Sequence, residues 1–595
     1  MIERRHCRLA PSAASLSATL AVGLAALALT GCSAKAPGGA PSSATATVAA
    51  AMTSPATPGC DADPGITLPP GFCATVFADK IGHARHIAVA PDGTVFVNTW
   101  NSPYFRNAPK APDGAMIVAL RDKDGDGHAE TVARIGPAGP DVIGGTGIAV
   151  WNGHLYAENG ASLVRYPLAA GALTPSGPAE TIVAGLPLTG NHNMHPFVID
   201  AKGTIWLNSG SATNACQVED RKPGSPGIDP CTELATRAGL WHYDANRTGQ
   251  VFSPRERWAT GIRNSGGVAF DAAGRAFATQ HGRDQLYQNY GRFFTAQQGA
   301  ELPSEVLLDV TRGGDFGWPT CYYDPTAKSL KLAPEYGGDG KAVGRCAGKQ
   351  GPVAAFPAHW APNDVAIYQG KMFPAAWAGG AFIAFHGSWN RAPLPQGGYA
   401  IGFQPLRDGR AAGPLTVFAD GFAGAAKEPG KAAHRPAGLA VGPDGALYVS
   451  DDQAGRIWRI TYHGPADAPV AAAAAPAVVA ASPVPAAPLP VPAGSNAAEV
   501  ALGAKVFRGE IGGAACTGCH GSDGHGSTVG PDLAAARPLW HDGTLAGIAA
   551  VIRNGVAKPK QFGGAMPALG GGQLDDAQVR AVAAYVAALR TSSVN

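Results

Sequence analysis

Charge is the first thing this sequence has little of. Its 595 residues include 46 Lys+Arg and 44 Asp+Glu, 15% charged in all, for a formal net charge of +2. That balance excludes a strong electrostatic pull toward nucleic acid. Methionine is scarce as well: there are six, and only Met566 follows Cys519. Long hydrophobic runs are missing beyond the N-terminus, where no later stretch approaches the ~20 apolar residues that span a bilayer. What is abundant is glycine (80) and proline (50), which favours many turns and short strands over long helices. The chain is long enough for more than one core.

The N-terminus has the pattern of a targeting segment. Arg4, Arg5 and Arg8 precede an apolar stretch that runs to Leu29, and Leu29-Thr30-Gly31-Cys32 resembles the lipobox of bacterial lipoproteins. The resemblance implies a signal over residues 1–31 and a lipidated Cys32, with an ordinary secretory signal as the alternative. Either reading exports the protein. With lipid, it is held on the periplasmic side of a membrane, and Ser33 is compatible with the outer membrane of a Gram-negative cell. Residues 32–59, rich in Ala, Pro, Ser and Thr, read as a flexible tether.

Cysteine usage fits an oxidising compartment. With Cys7 in the signal, Cys32 on lipid and the Cys516/Cys519 pair set apart, six remain in three sequence-local couples. They predict disulfides Cys60–Cys73, Cys216–Cys231 and Cys321–Cys346, although sequence does not prove connectivity.

Cys516-Thr517-Gly518-Cys519-His520 is a C-x-x-C-H run, the attachment pattern of a c-type haem. Two sulfurs bond the porphyrin and the next histidine is placed to ligate iron. Met566, in Ala565-Met566-Pro567, is the candidate second axial ligand, and a thioether there raises the haem potential. Around the run, Asn496 with Glu499 predicts a capped helix carrying Gly503 and Phe507. Val579, Val582, Ala583, Val586 and Leu589 repeat at helical spacing after Leu574-Asp575-Asp576, with Tyr585 alongside. With Gly530-Pro531-Asp532-Leu533, residues 496–595 resemble a class I cytochrome c, a small all-α domain. The Ala/Pro stretch 464–495 reads as a semi-rigid linker that permits docking of its flanking domains without requiring it.

Residues 60–463 repeat a phrase of apolar strand, glycine-containing turn and apolar strand, as in Ile87–Val97, Ile148–Ala157, Phe197–Leu207, Val268–Ala278 and Leu439–Val449. Recurrence at long intervals predicts an all-β six-bladed propeller, with a β-sandwich as the alternative. Several loops are polar beyond the needs of a connector: Asn191-His192-Asn193-Met194-His195, Gly261-Ile262-Arg263-Asn264, His281-Gly282-Arg283-Asp284, Gly314-Asp315-Phe316-Gly317-Trp318-Pro319, His386-Gly387-Ser388-Trp389-Asn390-Arg391 and His434-Arg435-Pro436-Ala437-Gly438. In this order they resemble the six-bladed quinoprotein sugar dehydrogenases, the soluble glucose dehydrogenase and sorbosone (pyranose) dehydrogenase branch, over about residues 66–463.

That resemblance implies a pyrroloquinoline quinone cofactor and Ca²⁺. It makes His192 the general base, with His195 as rival, although Asn191 stands where the family has an acidic residue. It makes Arg263, Asn264 and Arg435 cofactor contacts, and Gly282 and Arg283 the backbone-carbonyl ligands of calcium. A second family arginine is Ala437 here, and His386 or Arg391 is the candidate replacement for that charge. The chemistry suits the residue types: guanidinium forks match the quinone's carboxylates, calcium polarises its carbonyl, and a neutral histidine takes the alcohol proton. Asp122-Lys123-Asp124-Gly125-Asp126-Gly127 starts like a calcium loop, but Ala133 occupies the twelfth position, which excludes an EF-hand and leaves a structural ion site and a simple polar turn as the alternatives. The expectation is a sugar or polyol dehydrogenase that hands electrons to its own haem and then to a respiratory acceptor. A propeller hydrolase such as a lactonase, and a non-catalytic electron-transfer or binding protein, are the alternatives.

Overall fold

The computed structural model describes residues 59–592 apart from 102–113, 140, 474–488, 528–529, 558 and 563–564. The signal, Cys32 and the tether to residue 58 lie outside the described residues, as do Gly563 and Gly564.

Each repeated phrase folds as the inner hairpin of a blade. Its terminal residues are cross-strand partners: Ile87 with Val97, Ile148 with Ala157, Phe197 with Leu207, Val268 with Ala278 and Leu439 with Val449. The alternation of side chains along a strand sets this register, because a slip of one residue would turn the apolar set away from the core. Gly93, at φ +84°, supplies the left-handed turn position after Pro91-Asp92, and Asp92 Oδ1 accepts from Thr94 N at 3.1 Å.

Six antiparallel four-stranded units result. Blade 1 is Ala84–Val89, Val95–Thr99, Ala115–Arg121 and Thr131–Ala138. Blade 2 is Ile148–Trp151, His154–Asn159, Ser162–Pro167 and Glu180–Ala184, extended by the parallel strand Gln250–Val251. Blade 3 is Phe197–Ile199, Thr204–Ser209, Gly239–Asp244 and Arg257–Thr260. Blade 4 is Val268–Phe270, Ala276–Gln280, Glu305–Asp309 and Ala354–Phe356. Blade 5 is Pro362–Ile367, Ala381–Phe385, Ala400–Gln404 and Thr416–Ala419. Blade 6 is Pro436–Val441, Leu447–Asp451 and Ile457–Tyr462, and the N-terminal strand Phe72–Ala78 pairs with the last of these to close the ring. The β-sandwich alternative is excluded by this topology.

The three expected disulfides are formed. Cys60–Cys73 fastens the chain to the closing strand. Cys321–Cys346 ties the hairpin Cys321–Asp324/Ser329–Leu332 inserted in blade 4. Cys216–Cys231 closes a 15-residue separation in the blade 3 insertion. Buried apolar clusters fill the spaces between neighbouring blades, the richest holding Phe373, Trp377, Phe382, Phe418 and Trp458.

The first residues of the expected linker lie along the propeller: Ala473 N donates to Val417 O at 2.9 Å, and Ala468 and Val470 pack on the core between blades 5 and 6. The C-terminal domain has helices Ala497–Phe507, Cys516–His520, Leu545–Asn554 and Asp576–Ser592. Asn496 and Glu499 form the predicted capping box. The first and last of these helices cross at Gly503, where an added β-carbon would collide with the Ala581 carbonyl and stand 2.8 Å from Tyr585 Cβ. Phe507 and Tyr585 meet there with ring centroids 5.2 Å apart.

Candidate active site and haem domain

The polar loops of the different blades converge on a cluster organised by Asp284, whose side chain is 13% exposed. Its Oδ2 accepts from Arg221 Nη2 at 3.0 Å and Arg263 Nη2 at 3.3 Å. Its Oδ1 accepts from Asn390 Nδ2 at 2.8 Å. Burial raises the Asp284 carboxyl, but the two guanidinium groups outweigh it and hold the group far below the usual carboxylate range. Arg263 is buried and locked, donating to Asn214 O (3.1 Å), Asn214 Oδ1 (3.0 Å) and Gly282 O (2.9 Å). Arg221 sits in the left-handed region, φ +61°, inside the disulfide-closed loop. A non-glycine residue there costs about 1–3 kcal/mol unless its surroundings over-determine it, and the Cys216–Cys231 bridge constrains that loop.

His192 is half-buried beside this cluster. Its Nδ1 donates to Ser211 O at 2.8 Å, which leaves Nε2 as the basic atom. A backbone carbonyl, not a carboxylate, therefore orients the ring, in keeping with Asn191 in the preceding position; Asn191 Nδ2 reaches Asp220 instead at 3.2 Å. Burial, and then the charge of Arg263, hold His192 well below the ordinary histidine range, so it is neutral at pH 7. Glycine at 210 lets His192 and Asn264 stand together: an added β-carbon would lie 2.6 Å from His192 Cβ and 3.2 Å from Asn264 Cγ. His195 is different. It is fully buried, with its backbone N (2.9 Å) and Nδ1 (3.1 Å) both on Glu158 Oε1.

A second polar group is built around buried Asp452. It pairs with His386 Nε2 at 2.8 Å and with Arg85, while its carbonyl accepts from His83 Nδ1 at 2.8 Å. Burial, and then Arg435, push His386 down to about 4 against the opposing pull of Asp452. Arg435 donates through Nε to His386 O (3.1 Å) and through Nη2 to Gly387 O (3.0 Å), and makes no hydrogen bond through Nη1 among the described residues. Arg391 is a loop tie instead, donating to Pro395 O at 3.2 Å and Ala358 O at 2.7 Å.

Gly282 N donates to Glu305 Oε2 at 2.7 Å, and the Gly282 carbonyl already accepts from Arg263. A carbonyl has two lone pairs, so one remains for a cation. Arg283 uses its side chain on Glu335 and on Asp284 O (3.0 Å). Glu305 is buried without a salt-bridge partner among the described residues, and burial pushes its carboxyl up to about 8. Asn390 Oδ1 and Asn208 Nδ2 are buried with no partner among the described residues. This donor set fits an anionic cofactor with a hard cation: fixed guanidinium groups, a spare Nη1, orphaned amide atoms and a dry carboxyl beside a carbonyl.

In the C-terminal domain His520 is buried and its Nδ1 donates to Pro531 O at 2.9 Å, which frees Nε2 for iron. The Cys516 and Cys519 sulfurs, thiols here, stand for the thioether sulfurs of an attached haem. Met566 packs against the same helical core and is held by a two-way bridge to Val556, at 2.7 and 3.0 Å.

Arg221, Arg85, Asp452 and Glu305 were not singled out by sequence. A signal existed for two of them: Arg85-His86 inside the otherwise apolar Ala84–Val89 strand, and Glu305 opening the buried strand Glu305–Asp309. The carboxylates of Asp122, Asp124, Asp126 and Glu130 offer oxygens within 4.8 Å of one another in the outer hairpin of blade 1, all but Asp122 exposed. The backbone N–H groups of Gly125 and Gly127 donate to Asp122 and that of Asp126 to Asp124.

Fold and site together define a class: a six-bladed propeller oxidoreductase of the quinone-dependent type, carrying its own c-type cytochrome domain. A family model described as TrAA12-like matches residues 66–463, and the chain belongs to that family. A second model, described as cytochrome c oxidase, cbb3-type, subunit III, matches residues 498–586. Among solved structures, a Trichoderma reesei enzyme of Carbohydrate-Active Enzymes Family AA12 is 18% identical, with TM-score 0.54, over 67% of this chain and 98% of its own. The pyranose dehydrogenase PQQ domain of Coprinopsis cinerea is 20% identical, with TM-score 0.52, over 67% of this chain and 97% of its own. Both are likenesses of fold. An uncharacterized protein of Borreliella burgdorferi is 26% identical over 216 residues, and the chain spans 48% of that curated relative.

Proposed function

We propose that the propeller oxidises a sugar or polyol hydroxyl with bound pyrroloquinoline quinone and Ca²⁺, and that electrons pass to a haem c attached at Cys516 and Cys519. When bound, the quinone supplies a hydride acceptor and the haem a one-electron acceptor. The observation that carries this reading is the association of a neutral histidine with a fixed arginine cluster at the meeting point of the blades. His192 Nε2 takes the hydroxyl proton, while Ser211 O holds the ring in the required tautomer. Arg435, with its spare Nη1, holds a cofactor carboxylate, and Arg263 and Asn264 shape the wall beside it. The Gly282 and Arg283 carbonyls, next to Glu305, are the proposed calcium ligands. His520 and Met566 are the proposed iron ligands. The exported, lipid-held location implied by Cys32 would set the haem beside a respiratory acceptor, and the three disulfides are consistent with export.

The test is reconstitution of the full chain with quinone and Ca²⁺, a screen of aldoses, ketoses and polyols, and observation of the haem spectrum. Substrate-dependent haem reduction that needs the quinone is expected. Quinone uptake without haem reduction by any sugar or polyol would refute it.

A further inference from the structure

The haem-bearing face of the C-terminal domain is docked on the loops of blades 4, 5 and 6. Lys431 Nζ lies 3.1 Å from Asp523 Oδ2 and donates to Ser522 Oγ at 2.8 Å. Ser522 N donates to Glu428 Oε2 at 3.1 Å. On the far side, Gln288 Nε2 donates to Gly513 O at 3.4 Å and Gln573 Nε2 to Tyr287 O at 3.3 Å.

Between these two edges Gly518, in the middle of the attachment run, faces Trp389. A β-carbon on Gly518 would collide with the Trp389 carbonyl and stand 3.0 Å from Trp389 Cε3. A cavity of about 210 Å³, lined in part by Ala392, Pro395, Arg508 and Thr517, flanks this contact. Trp389 is followed by Asn390, whose Nδ2 bonds Asp284 Oδ1 at 2.8 Å. Two consecutive residues thus join the arginine–aspartate cluster to the haem-attachment helix.

We propose that the Trp389–Gly518 contact is the electron exit of the propeller, and that Lys431, with Asp523 and Ser522, is the latch that holds the haem domain on it. This rests on the quinone-to-haem reading above. Tunnelling falls steeply with separation, and the missing side chain at 518 lets the helix backbone meet the indole without a gap. The two electrons of one oxidation leave singly. Each converts ferric haem to ferrous, the two protons pass to water, and during turnover an external one-electron acceptor such as ferricyanide returns the haem to ferric between transfers; with that acceptor left out, the first electron alone is read as haem reduction. The latch is half-exposed, so salt weakens it.

The test uses the full haem-loaded chain with Ca²⁺, mixed anaerobically with stoichiometric chemically reduced pyrroloquinoline quinone. Quenching of tryptophan fluorescence reports uptake. The first-order, concentration-independent phase of haem reduction reports internal transfer. Carbodiimide coupling of Lys431 to Asp523, mapped by mass spectrometry, reports docking without any turnover. Gly518→Val is expected to lose the cross-link and slow the first-order phase by about tenfold or more, while uptake is unchanged. Lys431→Glu is expected to slow the same phase severalfold at low salt and to abolish its salt dependence. If Gly518→Val fails to attach haem, Lys431→Glu decides. An unchanged first-order rate in either variant, or a wild-type chain that does not cross-link, overturns the proposal. Absence of quinone uptake by the wild-type chain would instead count against the functional reading, and the cross-link alone would then judge the docking.

Discussion

Replacing His192 by glutamine removes the proton acceptor while leaving the pocket wall polar and about the same size. A positioned general base contributes typically about 10²–10⁴ in rate. Burial and the charge of Arg263 hold this imidazole well below the ordinary histidine range, so it is a weak base. The loss therefore belongs at the lower end, about 10²–10³, or roughly 3–4 kcal/mol of barrier. The assay is the initial rate with a sugar or polyol that the wild-type chain oxidises and a small dye acceptor, which bypasses the haem, next to quinone uptake by fluorescence. Uptake is expected to be unchanged. The pH profile gives a second signature. With its folded pKa below the usual ~6.5, the wild-type base is already neutral there, so the rate is flat across the neutral range and falls only in acid, as the imidazole protonates. His192→Gln should lack that acid limb. His195→Gln is the control: it breaks the buried contact with Glu158 and should lower stability more than kcat. A His192→Gln rate within about threefold of wild type, or an acid limb that persists in it, would refute the assignment.

Three further outcomes are expected. Gly503→Ala drives a methyl into the Ala581 carbonyl and toward Tyr585, an overpacking that costs about 1–3 kcal/mol and should be read as earlier melting of the haem domain, with the propeller transition unchanged. Met566→Ala should lower the haem potential in a redox titration, and an unchanged potential would remove Met566 as a ligand. His242 lies in blade 3 stacked on Trp258, centroids 4.0 Å apart, and burial pushes it down to about 4. A depressed histidine adds stability that is present above its unfolded pKa near 6.5 and is lost as pH falls toward the folded value. That amounts to at most about 3 kcal/mol, less the screening its partial exposure allows. His242→Phe should accordingly flatten the acid side of the propeller's stability curve, and an equal acid loss in the variant would contradict the shift.

Much of the fold was legible because propeller hairpins are local. Five of the six inner hairpins are contiguous phrases whose ends turn out to be cross-strand partners, such as Phe197 with Leu207. The sixth escaped as a clear copy because its strands, Pro362–Ile367 and Ala381–Phe385, are separated by a long connection that includes the Ala375–Trp377 turn. The haem site was equally legible, since Cys516, Cys519 and His520 share one helical turn. The Asn496–Glu499 cap and the Gly503 crossing follow from spacing alone.

What the sequence determined by itself, then, are the features written within a few residues of one another: strand alternation, turn glycines, local cysteine couples and the haem run. Tertiary structure alone decided the rest. Arg221, Asp284, Asn390 and Arg263 come from four separate loops, and only closure of the ring brings their charges within hydrogen-bond reach. The same holds for Asp452 against Arg85, and for Trp389 against Gly518. Charge pairing and close packing act over a few ångströms of space, and chain separations that run from 21 residues for Arg263 and Asp284 to 367 for Arg85 and Asp452 carry no trace of that distance until the blades and the haem domain are assembled.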